Sequence, residues 1–133
     1  MLRIKKEIFD KIVDHGKQEA PLEACGYLAE KDGLICKYIE MKNVDQSPIH
    51  YSMDPAQQFA AVKNCRDDGF TIRAVYHSHP ETSAYPSAED VKLAYDPSLS
   101  YVIVSLAKEK PNINSFTIKN DNVFQDKIKI IEV

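Results

Sequence analysis

Between Tyr76 and Asp90 the chain reads Tyr-His-Ser-His-Pro-Glu-Thr-Ser-Ala-Tyr-Pro-Ser-Ala-Glu-Asp, which offers three ligand-type side chains, His77, His79 and Asp90. Side chains on a strand alternate with a period of two, so His77 and His79 point to one face and lie about 6.6 Å apart along it. Both imidazoles can then converge on a single divalent metal. Two imidazoles and one carboxylate leave a zinc ion a fourth position for water, the arrangement of a catalytic rather than a structural site.

Each member also has a simpler reading. Ser87-Ala88-Glu89-Asp90 is a capping box, with Ser87 at the N-cap and Asp90 at the third helical position reaching back to the Ser87 N–H. A capping carboxylate turns to that amide, whereas a ligand carboxylate turns to the histidines, and the local sequence leaves both open. Pro80 and Pro86 bracket the intervening loop and stiffen it, although ordinary turn chemistry accounts for them equally well. His15 falls near a helix end, where solvation or the helix dipole suffices, and His50 precedes a candidate strand. Glu81 and Glu89 flank the segment as competing candidates for a base, and Cys25, Cys36 and Cys65 read as small core residues.

The elements that must position these groups follow from periodicity and punctuation. Leu2 to Ile4 reads as a short strand, and Glu7 to Ala20 carries Ile8, Ile12 and Val13 at helical spacing before Pro21 stops it. Gly26 to Glu30 and Leu34 to Val44 flank an Asp32-Gly33 turn signal and predict a hairpin, with Tyr51 to Met53 extending the sheet. Asp54 caps a second helix that has Pro55 at its first position and runs to about Asp67. Thr71 to His77 is the strand that delivers the histidines, and Ser87 to Tyr95 is a third helix closed by Asp96-Pro97. Tyr101 to Leu106 is the most apolar strand, and Ile113 to Lys119 and Val123 to Ile131 form a final hairpin around Asn120-Asp121-Asn122. The expected fold is α/β, one mixed sheet sandwiched by about three helices, in a single domain over 1–133.

Composition removes several function classes. The formal net charge of -3 is spread without long single-sign blocks and gives no reason to expect a nucleic-acid or acidic-membrane partner. The longest apolar run, Tyr101 to Ala107, is too short to cross a bilayer. The three cysteines form no Cys-x-x-Cys pair and argue against a disulfide framework, so a soluble, cytoplasmic protein is the default expectation.

The segment resembles the JAMM (MPN-plus) metallopeptidase pattern: an upstream glutamate, His-x-His-Pro, then Ser-x-x-Asp. Pro21 to Leu28 contains Glu23-Ala24-Cys25-Gly26-Tyr27-Leu28 and is similar to the family's Glu-x-Cys-Gly-x-Leu stretch, although Glu23 alone reads as a surface glutamate. The likeness covers about 21–106 and is closest to the compact prokaryotic branch. It implies that His77, His79 and Asp90 bind one zinc ion per chain, that Ser87 hydrogen-bonds near the scissile carbonyl, and that Glu23 acts on the metal-bound water. It also implies a fold similar to the cytidine deaminases, yet their His-x-Glu and Pro-Cys-x-x-Cys signature is absent, which argues against base deamination.

The implied reaction is zinc-dependent hydrolysis of a peptide or isopeptide bond at the C-terminal tail of a ubiquitin-like, sulfur-carrier protein. Such a tail would bind extended, as an added strand. Two alternatives stay open at this level: a non-catalytic protein-binding scaffold, and a zinc amidohydrolase of small peptides with no ubiquitin-like partner. The sequence leaves the substrate protein, the released residue and homo-oligomer formation undetermined.

Overall fold

The computed structural model describes residues 1–133. Eight strands form one sheet in the order β7-β6-β5-β4-β2-β3-β1-β8. They are β1 (Leu2–Lys5), β2 (Cys25–Lys31), β3 (Leu34–Met41), β4 (Thr71–His79), β5 (Ser100–Ser105), β6 (Asn112–Lys119), β7 (Asn122–Asp126) and β8 (Ile128–Ile131). Three helices complete the fold, α1 (Lys6–Glu19), α2 (Pro55–Asp67) and α3 (Ala88–Lys92). The expected mixed sheet with three helices is therefore what the chain adopts, and no helix is long and apolar enough to cross a membrane.

The alternation of β4 divides its side chains between two cores. Ala74 and Tyr76 face α1, where Ile8, Ile12 and Val13 pack with Leu2, Ile4, Leu28, Ile35, Val102 and Val104. Val75 faces the other side with Cys25, Tyr27, Met41, Tyr101, Ile103 and Phe116, under Ala61 of α2 and Val91 of α3. His77 and His79 share the parity of Val75, so they emerge on the α2–α3 side at the end of the strand. At Gly26, opposite Tyr76, an added Cβ would meet the Ile39 carbonyl oxygen and, at 2.5 Å, the Tyr76 ring. Only glycine lets that ring lie across β2, with its hydroxyl 2.8 Å from His15 Nδ1.

Two turns behave as their residues dictate: Asp32-Gly33 and Asn120-Asp121 all have positive φ, which lets two-residue loops close β2–β3 and β6–β7. Other expectations are corrected. Val123 to Ile131 is not one strand of a hairpin: it breaks at Lys127, β7 pairing with β6 and β8 running parallel to β1. These are opposite edges of the sheet, so a one-residue link between them requires the sheet to curl until its edges approach. Lys127 marks that corner, its carbonyl accepting the Leu2 N–H at 2.8 Å.

Tyr51 to Met53 is not a strand, because the Ser52 N–H bonds to the Asn43 side chain rather than to a ladder. The strand read as reaching Val44 ends at Met41 for the same reason, since Asn43 starts a hydrogen-bonded loop. The third helix stops at Lys92 instead of Tyr95, and Asp96 folds back on Ser98 and Tyr101. His15 is buried against Tyr76 rather than solvated, and Cys36 is only half-buried, unlike Cys25 and Cys65.

Candidate active site

The strand register brings the distant glutamate to the histidines. Cys25 of β2 stands opposite His77 of the antiparallel β4, and Ser78 exchanges backbone and side-chain hydrogen bonds with Ala24, its N–H reaching the Ala24 carbonyl at 3.0 Å and its Oγ accepting the Ala24 N–H at 2.8 Å. Extending that register carries Glu23 alongside His79, where its Oε2 lies 3.9 Å from His79 Nε2. Glu23 is only 2 % exposed, and its Oε1 has no hydrogen-bond partner. The local reading of a surface glutamate is thus reversed by tertiary pairing.

Asp90 arrives from the other direction, on α3. The capping box is present: the Asp90 N–H donates to Ser87 Oγ at 3.0 Å and the Ser87 N–H to Asp90 Oδ2 at 2.9 Å. That same Oδ2 lies 3.2 Å from His77 Nε2 and 3.1 Å from His79 Nε2, and the two Nε2 atoms are 3.1 Å apart. One carboxylate oxygen serves both the cap and the histidine cluster, so capping does not turn Asp90 away from the histidines.

The loop between β4 and α3 is fixed from its neighbours. Ser105 Oγ donates to the Thr82 carbonyl and Asn114 Nδ2 to the Ala84 carbonyl at 2.9 Å. Between them the Ser83 carbonyl accepts from His79 Nδ1 at 2.8 Å, which places the proton on Nδ1 and leaves Nε2 as a lone pair facing the cluster. Tyr51 stacks on His77 with ring centroids 4.7 Å apart and an interplanar angle of 31°. His77 Nδ1 is buried without a partner.

The electrostatics follow from burial and mutual contact. Burial pushes Glu23 up to about 8, partly offset by His79. Burial also opposes ionisation of Asp90, but the adjoining His77 and His79 rings and the Ser87 N–H outweigh it and hold the carboxylate well below its usual range. Burial lowers His77, whereas at His79 the Asp90 contact and the Ser83 carbonyl overcome burial and raise it.

With both Nε2 atoms deprotonated, as metal ligation requires, two imidazole lone pairs and a carboxylate oxygen within 3.2 Å of one another repel unless a cation sits among them. Bonds of about 2.0–2.1 Å to a tetrahedral ion put ligand atoms about 3.3 Å apart, close to the edges of this triangle. Glu23, His77, His79 and Asp90 each offer a donor atom within 4.8 Å of the others, so the set fits a metal ion.

Beside Asp90 lies a cleft of about 500 Å³, lined by Tyr27, Tyr51, Met53, Leu93, Leu99 and Tyr101 among others. Sequence reasoning did not single out Ser78, Asn114 or Tyr51. The only signal at hand was their polar or aromatic type within otherwise ordinary stretches.

The chain is similar to several known proteins. The pattern of "prokaryotic homologs of the JAB domain" matches residues 5–119. The chain is 33% identical over 135 residues to the "CysO-cysteine peptidase" of Mycobacterium tuberculosis, covering 99% of this chain and 92% of that protein. The solution structure of protein DSY2949 from Desulfitobacterium hafniense superposes with a TM-score of 0.92 at 44% identity, over 100% of this chain and 94% of that one. A structure described as "JAMM: A Metalloprotease-like Zinc Site in the Proteasome and Signalosome" shares the fold at 17% identity and a TM-score of 0.66, over 99% of each chain.

Proposed function

We propose that this chain, which belongs to the family of prokaryotic homologs of the JAB domain, is a zinc-dependent peptidase acting at the C-terminal tail of a ubiquitin-like sulfur-carrier protein. It hydrolyses the peptide or isopeptide bond that joins the tail to a terminal residue, and residues 1–133 act as a single domain. One observation carries the reading: His77 Nε2, His79 Nε2 and Asp90 Oδ2 converge within 3.2 Å beside a buried, unpartnered glutamate. A scaffold without catalysis has no use for the cost of that buried carboxyl.

His77, His79 and Asp90 are assigned as metal ligands, and two imidazoles with a carboxylate suit zinc. When bound, zinc acidifies water to a pKa of about 7 and polarises a carbonyl as a Lewis acid. Glu23 accepts the proton of the attacking water and returns it to the departing amine. Burial raises this carboxyl in the metal-free protein, a cation at the histidines would favour the ionised form a general base needs, and such general catalysis contributes about 10²–10⁴ in rate. Ser87 Oγ accepts the Asp90 N–H and keeps its own proton for the developing oxyanion.

The cleft between Tyr51 and Leu93 receives the extended tail, with main-chain hydrogen bonds supplying affinity. The name of the M. tuberculosis relative supports a bond between a carrier protein and cysteine.

The test is an intact-mass assay. Zinc-loaded protein is incubated with a ubiquitin-like carrier ending in Gly-Gly and extended by one cysteine. Loss of the terminal residue, stopped by a chelator and restored by zinc, is expected. A folded, zinc-loaded protein that leaves every tailed carrier intact would overturn the proposal.

A further inference from the structure

Glu23 precedes β2 and its side chain is not held by a hydrogen bond at Oε1, so the position of its carboxyl depends on how its backbone is fixed. One side is fixed by Ser78 through Ala24. The other is fixed by Asn43, a buried side chain two residues past the end of β3. Asn43 Nδ2 donates to the Glu23 carbonyl at 3.0 Å and to the His50 carbonyl at 3.0 Å, with a longer contact to the Ser47 carbonyl at 3.5 Å. Its Oδ1 accepts the Asp45 N–H at 3.1 Å and the Ser52 N–H at 3.3 Å. The Glu23 N–H completes the tie by donating to the Ser47 carbonyl at 2.9 Å.

The loop from 43 to 52 is closed on its outer edge by Asp45, which contacts His50 Nδ1 at 3.0 Å and accepts from Ser52 Oγ at 2.9 Å. Within this loop Tyr51 stacks on His77 and, with His50, Ser52 and the following Met53, lines the cleft beside Asp90. One amide therefore bridges the backbone of the glutamate and the wall of the cleft. No other side-chain type of this size supplies two donors and an acceptor at once.

We propose that Asn43 is a positioning residue for the hydrolysis described above, setting Glu23 and the cleft wall in one register. The inference rests on that reading of the site. Asn43 touches neither the metal ligands nor the cleft's contents, and it acts through Glu23 and the loop. Replacement by alanine removes all five contacts. Asn43→Asp keeps the shape and the acceptor for Asp45 and Ser52 but sets a carboxylate against the carbonyls of Glu23, Ser47 and His50.

The test uses the full zinc-loaded chain under single-turnover conditions with a cysteine-extended carrier, in the parent and Glu23→Gln backgrounds. In the parent, Asn43→Ala and Asn43→Asp lower the rate about tenfold or more and weaken carrier binding, while zinc affinity stays within about twofold. In the Glu23→Gln background, at saturating carrier, where weakened binding no longer enters the rate, the same changes alter it by about twofold or less, because the glutamate they position is already disabled. Equal fold-losses in both backgrounds, or full activity of folded Asn43→Asp, would overturn this inference alone. Should Asn43→Ala fail to fold, the near-isosteric Asn43→Asp carries the comparison. An inert parent protein would overturn both this inference and the function it rests on.

Discussion

Asp90 Oδ2 accepts the backbone N–H of Ser87 at 2.9 Å while standing 3.1–3.2 Å from both imidazoles. A helix cap is usually a device of local stability, but here it aims the carboxylate. The first turn of α3 thereby meets the end of β4 through one carboxylate.

Ser87→Ala removes the hydroxyl that accepts the Asp90 N–H. It is expected to cost about 1 kcal/mol of stability in the metal-free protein. Zinc affinity falls as well, because the turn of α3 that carries Asp90 loses the hydroxyl holding its backbone N–H, and Ser87→Thr restores most of both. Urea unfolding and competition with a chromogenic chelator measure the two effects. An alanine variant that binds zinc like the parent would separate the cap from the site.

Glu23 makes metal-free stability depend on pH in a defined direction. Its folded pKa, pushed up to about 8 by burial, exceeds the unfolded value, so between the two the folded chain binds more protons and stability falls as pH rises. Glu23→Gln removes that contribution. The variant's advantage over the parent in denaturant should grow from pH 5 to pH 8, and a difference that stays constant or shrinks over this range would refute the assignment.

Gly26→Ala is expected to be severe. The added methyl meets the Ile39 backbone and the Tyr76 ring, which cannot swing aside without losing its contact with His15. A loss of about 3 kcal/mol follows from overpacking of this kind. Trimming the ring in the same chain, with Tyr76→Ala, should recover little, since the carbonyl clash remains. A midpoint in urea close to the parent's would show that β2 and β3 give way more easily than their packing implies.

How much of this was legible depended on whether the deciding contacts are local. The period-two placement of His77 and His79, the Asp54-Pro55 start of α2 and the Ser87–Asp90 box all depend on neighbours within a few residues, and each appears where the pattern puts it. Glu23 reads as a surface residue because only its register against β4 buries it. The break at Lys127 is invisible in a mixed, β-rich run whose second half pairs with β1, at the far end of the chain. Tyr51 to Met53 alternates like a strand, but Asn43 takes the hydrogen bond a ladder would need. Asn43 itself falls inside the run read as a strand to Val44, and nothing in its own neighbourhood announces that its amide reaches Glu23.

The most direct measurement is the zinc stoichiometry of chelator-stripped protein by titration, made in parallel on the parent, His77→Ala, His79→Ala and Asp90→Ala. The convergence of three donor atoms predicts one tightly bound zinc per chain in the parent and loss of tight binding in each variant. A parent that takes up no zinc, or variants that bind it undiminished, would contradict the account.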